Sequence, residues 1–225
     1  MTLASIFGTD VLRYQPDGVI EFYDVYPAVR DSYEQAAEWT GFDAKALLHQ
    51  QGFDGDEQLR LRAVSIALAA AQFGIHDALA EQGIRPGIVA GLSLGGMVSS
   101  CVAGSLRRRD LFRVLARGRH VAQIDFGGPV LPLCSSLEER TLRSAIEVRE
   151  MFCRNAVGPV STVCLGAVMK RHGAQLGLVI GPSGITDVPA CPFPVIHVDS
   201  PKAVARALAA IFDFGVNLPG DRARR

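Results

Sequence analysis

The sequence has no charge imbalance, no paired cysteines, no long apolar run and no internal repeat, and each absence closes off a class of protein. Lys and Arg total 23, Asp and Glu total 23, and the formal net charge of the 225 residues is +0. No overall field therefore draws the chain toward nucleic acid or an anionic membrane. The five cysteines, Cys101, Cys134, Cys153, Cys164 and Cys191, lie far apart with no C-x-x-C pair. Most sit among apolar neighbours and read as buried free thiols of a reducing compartment. Neither they nor the histidines show metal-ligand spacing, so no metal site is expected. Met1 to Arg13 lacks a basic start followed by an apolar run, which argues against a signal peptide. No stretch reads as long and apolar enough to cross a bilayer, and the expectation is a soluble, cytoplasmic protein.

What is present is enough apolar material for one substantial core, 48% of the residues. We expect a single domain over residues 1–215 with a polar tail over 216–225. Leu3 to Phe7 reads as a short buried strand, and Asp17-Gly18 as a turn. Helical spacing runs from Pro27 to Leu48 with a break at Gly41-Phe42-Asp43. The longest helical signal is Glu57 to Gln82, rich in Ala and Leu and stopped by Gly83. Its middle, Val64 to Gln72, is apolar or small on nearly every side, as a buried helix should be.

Further helices are expected over Met97 to Gly104, Arg109 to Ala122, Leu137 to Asn155 and Val160 to His172. Strands are expected at Val130 to Cys134, Gln175 to Ile180 and Phe193 to Val198. Ser200 and Pro201 then open a last helix as N-cap and first helical residue. Strands alternating with helices imply an α/β fold, three layers with a mainly parallel sheet and helices on both faces.

The stretch that carries chemistry is Ile88-Val89-Ala90-Gly91-Leu92-Ser93-Leu94-Gly95-Gly96. A short apolar run ends in Gly-x-Ser-x-Gly, the sequence form of a nucleophile elbow, where a strand turns sharply into a helix with a serine at the apex. Glycines at 91 and 95 leave room for the turn. Ser93 at a helix N-terminus faces free N–H groups that favour developing negative charge, and the Leu94 amide is a natural oxyanion donor. The plain alternative is that Ser93 is only a small residue in a tight turn.

Gly91-Leu-Ser-Leu-Gly95 resembles the elbow of the malonyl-CoA:acyl-carrier-protein transacylases and the acyltransferase domains of polyketide synthases. The likeness extends upstream through Tyr26-Pro27-Ala-Val-Arg30, Tyr33-Glu-Gln-Ala-Ala37 and Gly41-Phe-Asp43. Downstream it continues through Cys101-Val-Ala-Gly104, Leu115-Ala-Arg117-Gly118-Arg119, Glu147-Val-Arg149, Pro159-Val160, Leu178 to Gly184 and Val195 to Pro201. It implies that Ser93 takes an acyl group from coenzyme A and passes it to the phosphopantetheine thiol of an acyl carrier protein. It further implies that Arg117 grips the free carboxylate of a malonyl-type group, a fork geometry that lysine cannot match. No permanently bound cofactor is implied; the coenzyme A thioester is a substrate.

The departures from the family pattern bear on mechanism. Its Pro-Gly-Gln-Gly loop is replaced by Phe7-Gly8-Thr9-Asp10, where the Thr9 backbone amide could still be the second oxyanion donor. A glutamine that opens the long helix becomes Val64, and a later one that faces substrate becomes Asn155. After Gln123 the ferredoxin-like subdomain and the segment with the catalytic histidine are missing. A serine needs a base, and two histidines are candidates: His120, three residues beyond Arg117 on the same expected helix, and His197 near a sheet edge. His49, His76 and His172 read as solvated. Arg107, Arg108, Arg109, Arg113, Arg117 and Arg119 form a basic cluster, either a plain solvated helix face or a docking surface for an acidic carrier protein. The resemblance thus leaves three functions open: malonyl-type acyl transfer, acyl-thioester hydrolysis, or an inactive module that binds a carrier protein or synthase. A second copy of the chain or a synthase partner would cover the surface left by the missing subdomain.

Overall fold

A computed structural model describes residues 2–8, 11, 14–53, 55–117, 121–135, 137–155, 162–182 and 191–213. In chain order the elements are β1 (Thr2–Phe7), α1 (Pro16–Val25), α2 (Pro27–Thr40), α3 (Ala44–His49), α4 (Glu57–Glu81), β2 (Ile88–Gly91), α5 (Leu94–Val102), α6 (Arg108–Arg117), β3 (Leu133–Cys134), β4 (Thr141–Leu142), α7 (Ala145–Asn155), α8 (Thr162–Arg171), β5 (Ala174–Ile180), β6 (Val195–Val198) and α9 (Pro201–Asp213).

The strands form one sheet in the order β4-β3-β2-β1-β5-β6. All neighbouring pairs are parallel except β3 with β4. Period-two alternation sorts the central strands between two layers. Leu3, Phe7, Val89, Leu133, Leu178 and Ile180 join one large core with α1 to α7 and α9. Ala4, Ile6, Ile88, Ala90 and Val179 face the other way, onto Leu165, Val168 and Met169 of α8. The three-layer α/β architecture expected from the sequence is the one observed.

Helix α4 is the spine of the larger layer. Asp56 caps it, accepting from the Leu59 N–H at 3.0 Å, and Gly83 at φ 82° ends it. Its Ala-rich middle lets α2 approach closely: a Cβ on Gly74 would lie 2.5 Å from Val29 Cα. The Tyr33 hydroxyl donates to Ala67 O at 2.9 Å and the Ser32 hydroxyl to Ala70 O at 2.8 Å, pinning α2 to α4. This helix also corrects the sequence reading on membrane spans. Its length and a windowed hydropathy of 1.4 are enough to cross a bilayer, but 78% of that window is buried inside the fold.

Two further elements differ from expectation. Asp17-Gly18 is no turn but the start of α1: Pro16 stands at its first position, Asp17 in its first turn, and Val19 and Phe22 are buried. Proline is pre-set for that position and an acidic residue suits the helix dipole, so the apparent breaker is a helix start. The expected helix from Leu137 is split. The Ser135 hydroxyl accepts from the Leu137 and Glu138 N–H groups, β4 follows, and α7 begins only after Ser144. Ser144 and Glu147 make a capping box: the hydroxyl accepts from Glu147 N at 3.3 Å, and the carboxylate from Ser144 N at 3.1 Å. The strand before it is also shorter than expected, confined to Leu133–Cys134. Between α6 and β3 the chain makes one 3-10 turn, Val121–Gln123, and residues 124–132 lead straight to the sheet.

Candidate active site

The parallel strands end on one edge of the sheet, and the candidate site is built there. β2 delivers Gly91, α5 starts at Leu94, and Ser93 stands between them, exposed at its apex. Its backbone is strained, with φ 49° and ψ −120°, a conformation that an L-residue holds only when its surroundings impose it. Those surroundings are two glycines without room for a side chain. A Cβ on Gly91 would lie 2.1 Å from Gly95 O, and one on Gly95 would lie 2.0 Å from Phe7 O. The Leu92 N–H donates to the same Phe7 carbonyl at 3.3 Å. The elbow is therefore clamped onto the end of β1, as the glycine spacing predicts.

The Ser93 carbonyl accepts from Gly96 and Met97 N–H groups at 3.0 and 3.3 Å, closing the first turn of α5. The Leu94 N–H has no such partner among the described residues. The Ser93 side chain makes no capping bond, so its hydroxyl is not spent on the fold.

Arg117 ends α6, exposed, beside a shallow cavity of about 150 Å³ that Asp110, Arg113, Val114, Gln123 and Ile124 also line. Helix α6 packs against α5, which the elbow starts. Arg117 makes no ion pair among the described residues. Arg108, two turns earlier, differs from its neighbours. It is not part of a solvated face: its guanidinium binds both oxygens of Asp77 at 2.5 and 2.7 Å and lies 4.5 Å from the Phe73 ring centroid. Asn155 ends α7, which packs on α5, but its side chain lies outside the described residues. Thr9 and His120 lie outside them as well.

His197 and His76 lie among the described residues. His197 is on β6, three strands from β2 in the sheet order. At about 4.8 Å per strand that is roughly 14 Å from the elbow, too far for a base on Ser93. His76 is not solvated as its sequence neighbours suggest. It is partly buried, its ring 6.0 Å from Phe7 in an edge-on contact. Burial lowers its pKa to about 4 despite the opposing pull of Asp77, with Arg108 and Arg85 adding to the fall.

A stability effect follows from His76. The unfolded imidazole binds a proton near pH 6.5, the folded one only near pH 4. The stability that neutral His76 contributes is thus complete above about 6.5 and drains away as the pH falls toward 4. Urea midpoints measured from pH 7 to pH 4.5 should decline less steeply for His76→Leu than for the native chain; equal slopes would refute the assignment. Of the thiols, Cys101 and Cys134 are buried, whereas Cys153 is exposed and Cys191 partly so, a departure from the expectation of burial. Burial pushes the Cys134 thiol up to about 12 and raises Cys101 too, so neither is a thiolate near neutrality or a rival nucleophile.

A mainly parallel α/β sheet with a strained serine at a strand-to-helix turn defines a class by its fold, the α/β folds with a nucleophile-elbow turn. Within it the fold is that of the malonyl-CoA:acyl-carrier-protein transacylases. The acyl-carrier-protein S-malonyltransferase of Burkholderia pseudomallei superimposes with a TM-score of 0.78 at 15% identity, over 93% of this chain and 100% of that one. MCAT of Streptococcus pneumoniae gives 0.80 at 18% identity, over 92% and 99%. FabD of Acinetobacter baumannii gives 0.81 at 13% identity, over 94% and 98%. A further match, 0.79 at 16% identity over 93% and 100%, is a malonyl-transacylase in complex with its type II polyketide synthase acyl-carrier protein. In sequence, the polyketide synthase GfsE of Streptomyces halstedii is 32% identical over 120 residues. That stretch is 53% of this chain but 3% of the synthase. No family model matches the sequence.

Proposed function

We propose that the protein is a serine acyltransferase that moves a malonyl-type group from coenzyme A to an acyl carrier protein in fatty acid or polyketide assembly. The observation that carries this reading is the exposed, strained Ser93 beside a Leu94 N–H without a partner among the described residues. The Ser93 Oγ attacks the thioester carbonyl, the new C–O bond forms, the C–S bond breaks, and coenzyme A leaves as the thiol. The hydroxyl proton passes through a base to that sulfur. The carrier's phosphopantetheine thiol then attacks the serine ester and regenerates Ser93. We assign the base to His120 and the second oxyanion donor to the Thr9 amide. Arg117, at the end of α6 and without an ion pair among the described residues, holds the acyl carboxylate, and Asn155 contributes to binding the acyl group.

The test is transfer from malonyl-CoA and from acetyl-CoA to a phosphopantetheinylated carrier protein. The native chain should prefer malonyl-CoA, and Arg117→Ala should lower malonyl transfer by about 100-fold, as expected for a lost charge-assisted pair of about 3 kcal/mol, while changing acetyl transfer little. Equal loss with both substrates would refute the role of Arg117. The exposure of Ser93 favours one second reading, thioester hydrolysis, since water reaches the ester as readily as a carrier does. Malonate released at the same rate with and without carrier protein would select it.

A further inference from the structure

The last helix has one apolar face more than the fold uses. At about 100° per residue, Ala203, Val204, Ala207 and Ile211 share one side of α9, and all four are buried. A second apolar set, Ala205, Leu208, Ala209 and Phe212, recurs at i, i+3, i+4 and i+7, the spacing of a helix face that packs against a neighbour. Among the described residues that neighbour is missing. Ala205 and Ala209 are exposed, Leu208 is half-buried, and Phe212 is 84% exposed, more than any other large apolar side chain described.

The stripe is complementary to itself. A second α9 laid antiparallel against it, with Leu208 facing Ala209 of the second copy, brings Phe212 onto Ala205 of the second copy. Each large side chain then meets a small one, and two-fold symmetry makes every pairing reciprocal. The alanines let the two helix axes approach to about 8 Å.

The charges agree with the same register. Lys202, Arg206 and Asp213 lie along one flank of the stripe, basic at the helix start and acidic at its end. In the antiparallel arrangement, Asp213 of the second copy comes level with the gap between Lys202 and Arg206. A parallel arrangement would instead set Lys202 beside Lys202 and Asp213 beside Asp213. Lys202 and Asp213 make no ion pair among the described residues, and Arg206 has only Asp199, at 3.9 Å. The formal net charge of +0 adds no repulsion between copies.

We propose that α9 is a homodimerisation helix, its exposed stripe docking antiparallel on the same stripe of a second copy of this chain. Helix α9 packs on β6, three strands from the elbow strand β2. A copy docked there leaves Ser93 open, and the inference stands apart from the acyl-transfer reading. A contact built on a 13-residue helix is small, so the dimer belongs to the weak, concentration-dependent class.

Sedimentation velocity of the full chain from about 1 to about 300 µM should show monomer giving way to dimer, with a Kd on the order of 10–100 µM. Phe212→Ala should weaken the dimer at least about tenfold, with the urea midpoint in dilute solution unchanged, because Phe212 is exposed in the single copy. Asp213→Lys alone, and Lys202→Glu with Arg206→Glu alone, should each weaken self-association about tenfold by setting like charges together. Mixed, these two variants should form a heterodimer of near-native affinity, since both sets of contacts become attractive; a folding defect is not mended by mixing. A native chain that stays monomeric throughout leaves the stripe to another polypeptide and overturns the proposal. So does a dimer indifferent to Phe212→Ala, or a mixture of the two folded charge variants that fails to associate.

Discussion

A Ser93→Gly variant is expected to be more stable than the native chain and unable to form an acyl-enzyme. The φ of 49° and ψ of −120° at Ser93 cost an L-residue about 1–3 kcal/mol, and glycine adopts them freely. Against that relief stands the larger unfolded-state entropy of glycine, about 0.5–1 kcal/mol. The serine side chain makes no capping bond and is exposed, so its removal forfeits no hydrogen bond among the described residues. The net gain should be about 1 kcal/mol, read as a higher urea midpoint at unchanged slope. Labelling by malonyl-CoA should vanish. A destabilised variant would mean that the elbow stores no strain for the nucleophile.

Gly95→Ala is expected to do the largest damage to the fold. Its Cβ would fall 2.0 Å from Phe7 O and 2.6 Å from Phe7 C. Both are backbone atoms of a strand held in register on two sides, by β2 and by β5. Neither can yield without parting α5 from the sheet. The expected loss is about 4 kcal/mol or more, a fall in Tm of roughly 10 °C for a domain of this size, with acylation lost in whatever remains folded. Gly41→Ala is the control: it shares a positive φ of 83° but meets nothing within 4 Å, so it should cost only about 1 kcal/mol of backbone strain. A Gly95→Ala protein within about 1 kcal/mol of native and still acylated would show that the elbow has slack the distances deny.

These two residues were legible in the sequence because their signals are local. A Gly-x-Ser-x-Gly after an apolar run constrains its own backbone, and so does a capped alanine-rich helix closed by Gly83. The misreadings share the opposite property. Asp17-Gly18 looks like a turn until Val19 and Phe22 find a core to enter, and β4 exists only because Leu142 pairs with Leu133. Arg108 looked like one of a row of solvated arginines; its partner, Asp77, is 31 residues away. Gln72 only closed the stretch read as apolar or small, since its acceptors stand 64 and 108 positions distant. Of the site, the turn at Ser93 stands where the motif put it, whereas Arg117, expected inside a helix running to Ala122, instead ends α6. A histidine near a sheet edge, His197, was a candidate base only while the strand order was unknown.

The central claim, that Ser93 carries an acyl group, is tested most directly by intact-protein mass spectrometry after mixing with malonyl-CoA, with Ser93→Ala alongside. A malonyl mass increment and stoichiometric release of coenzyme A are expected with the native chain, and neither in the variant. An increment that survives in Ser93→Ala, or no increment and no coenzyme A released by a folded native chain, would contradict it.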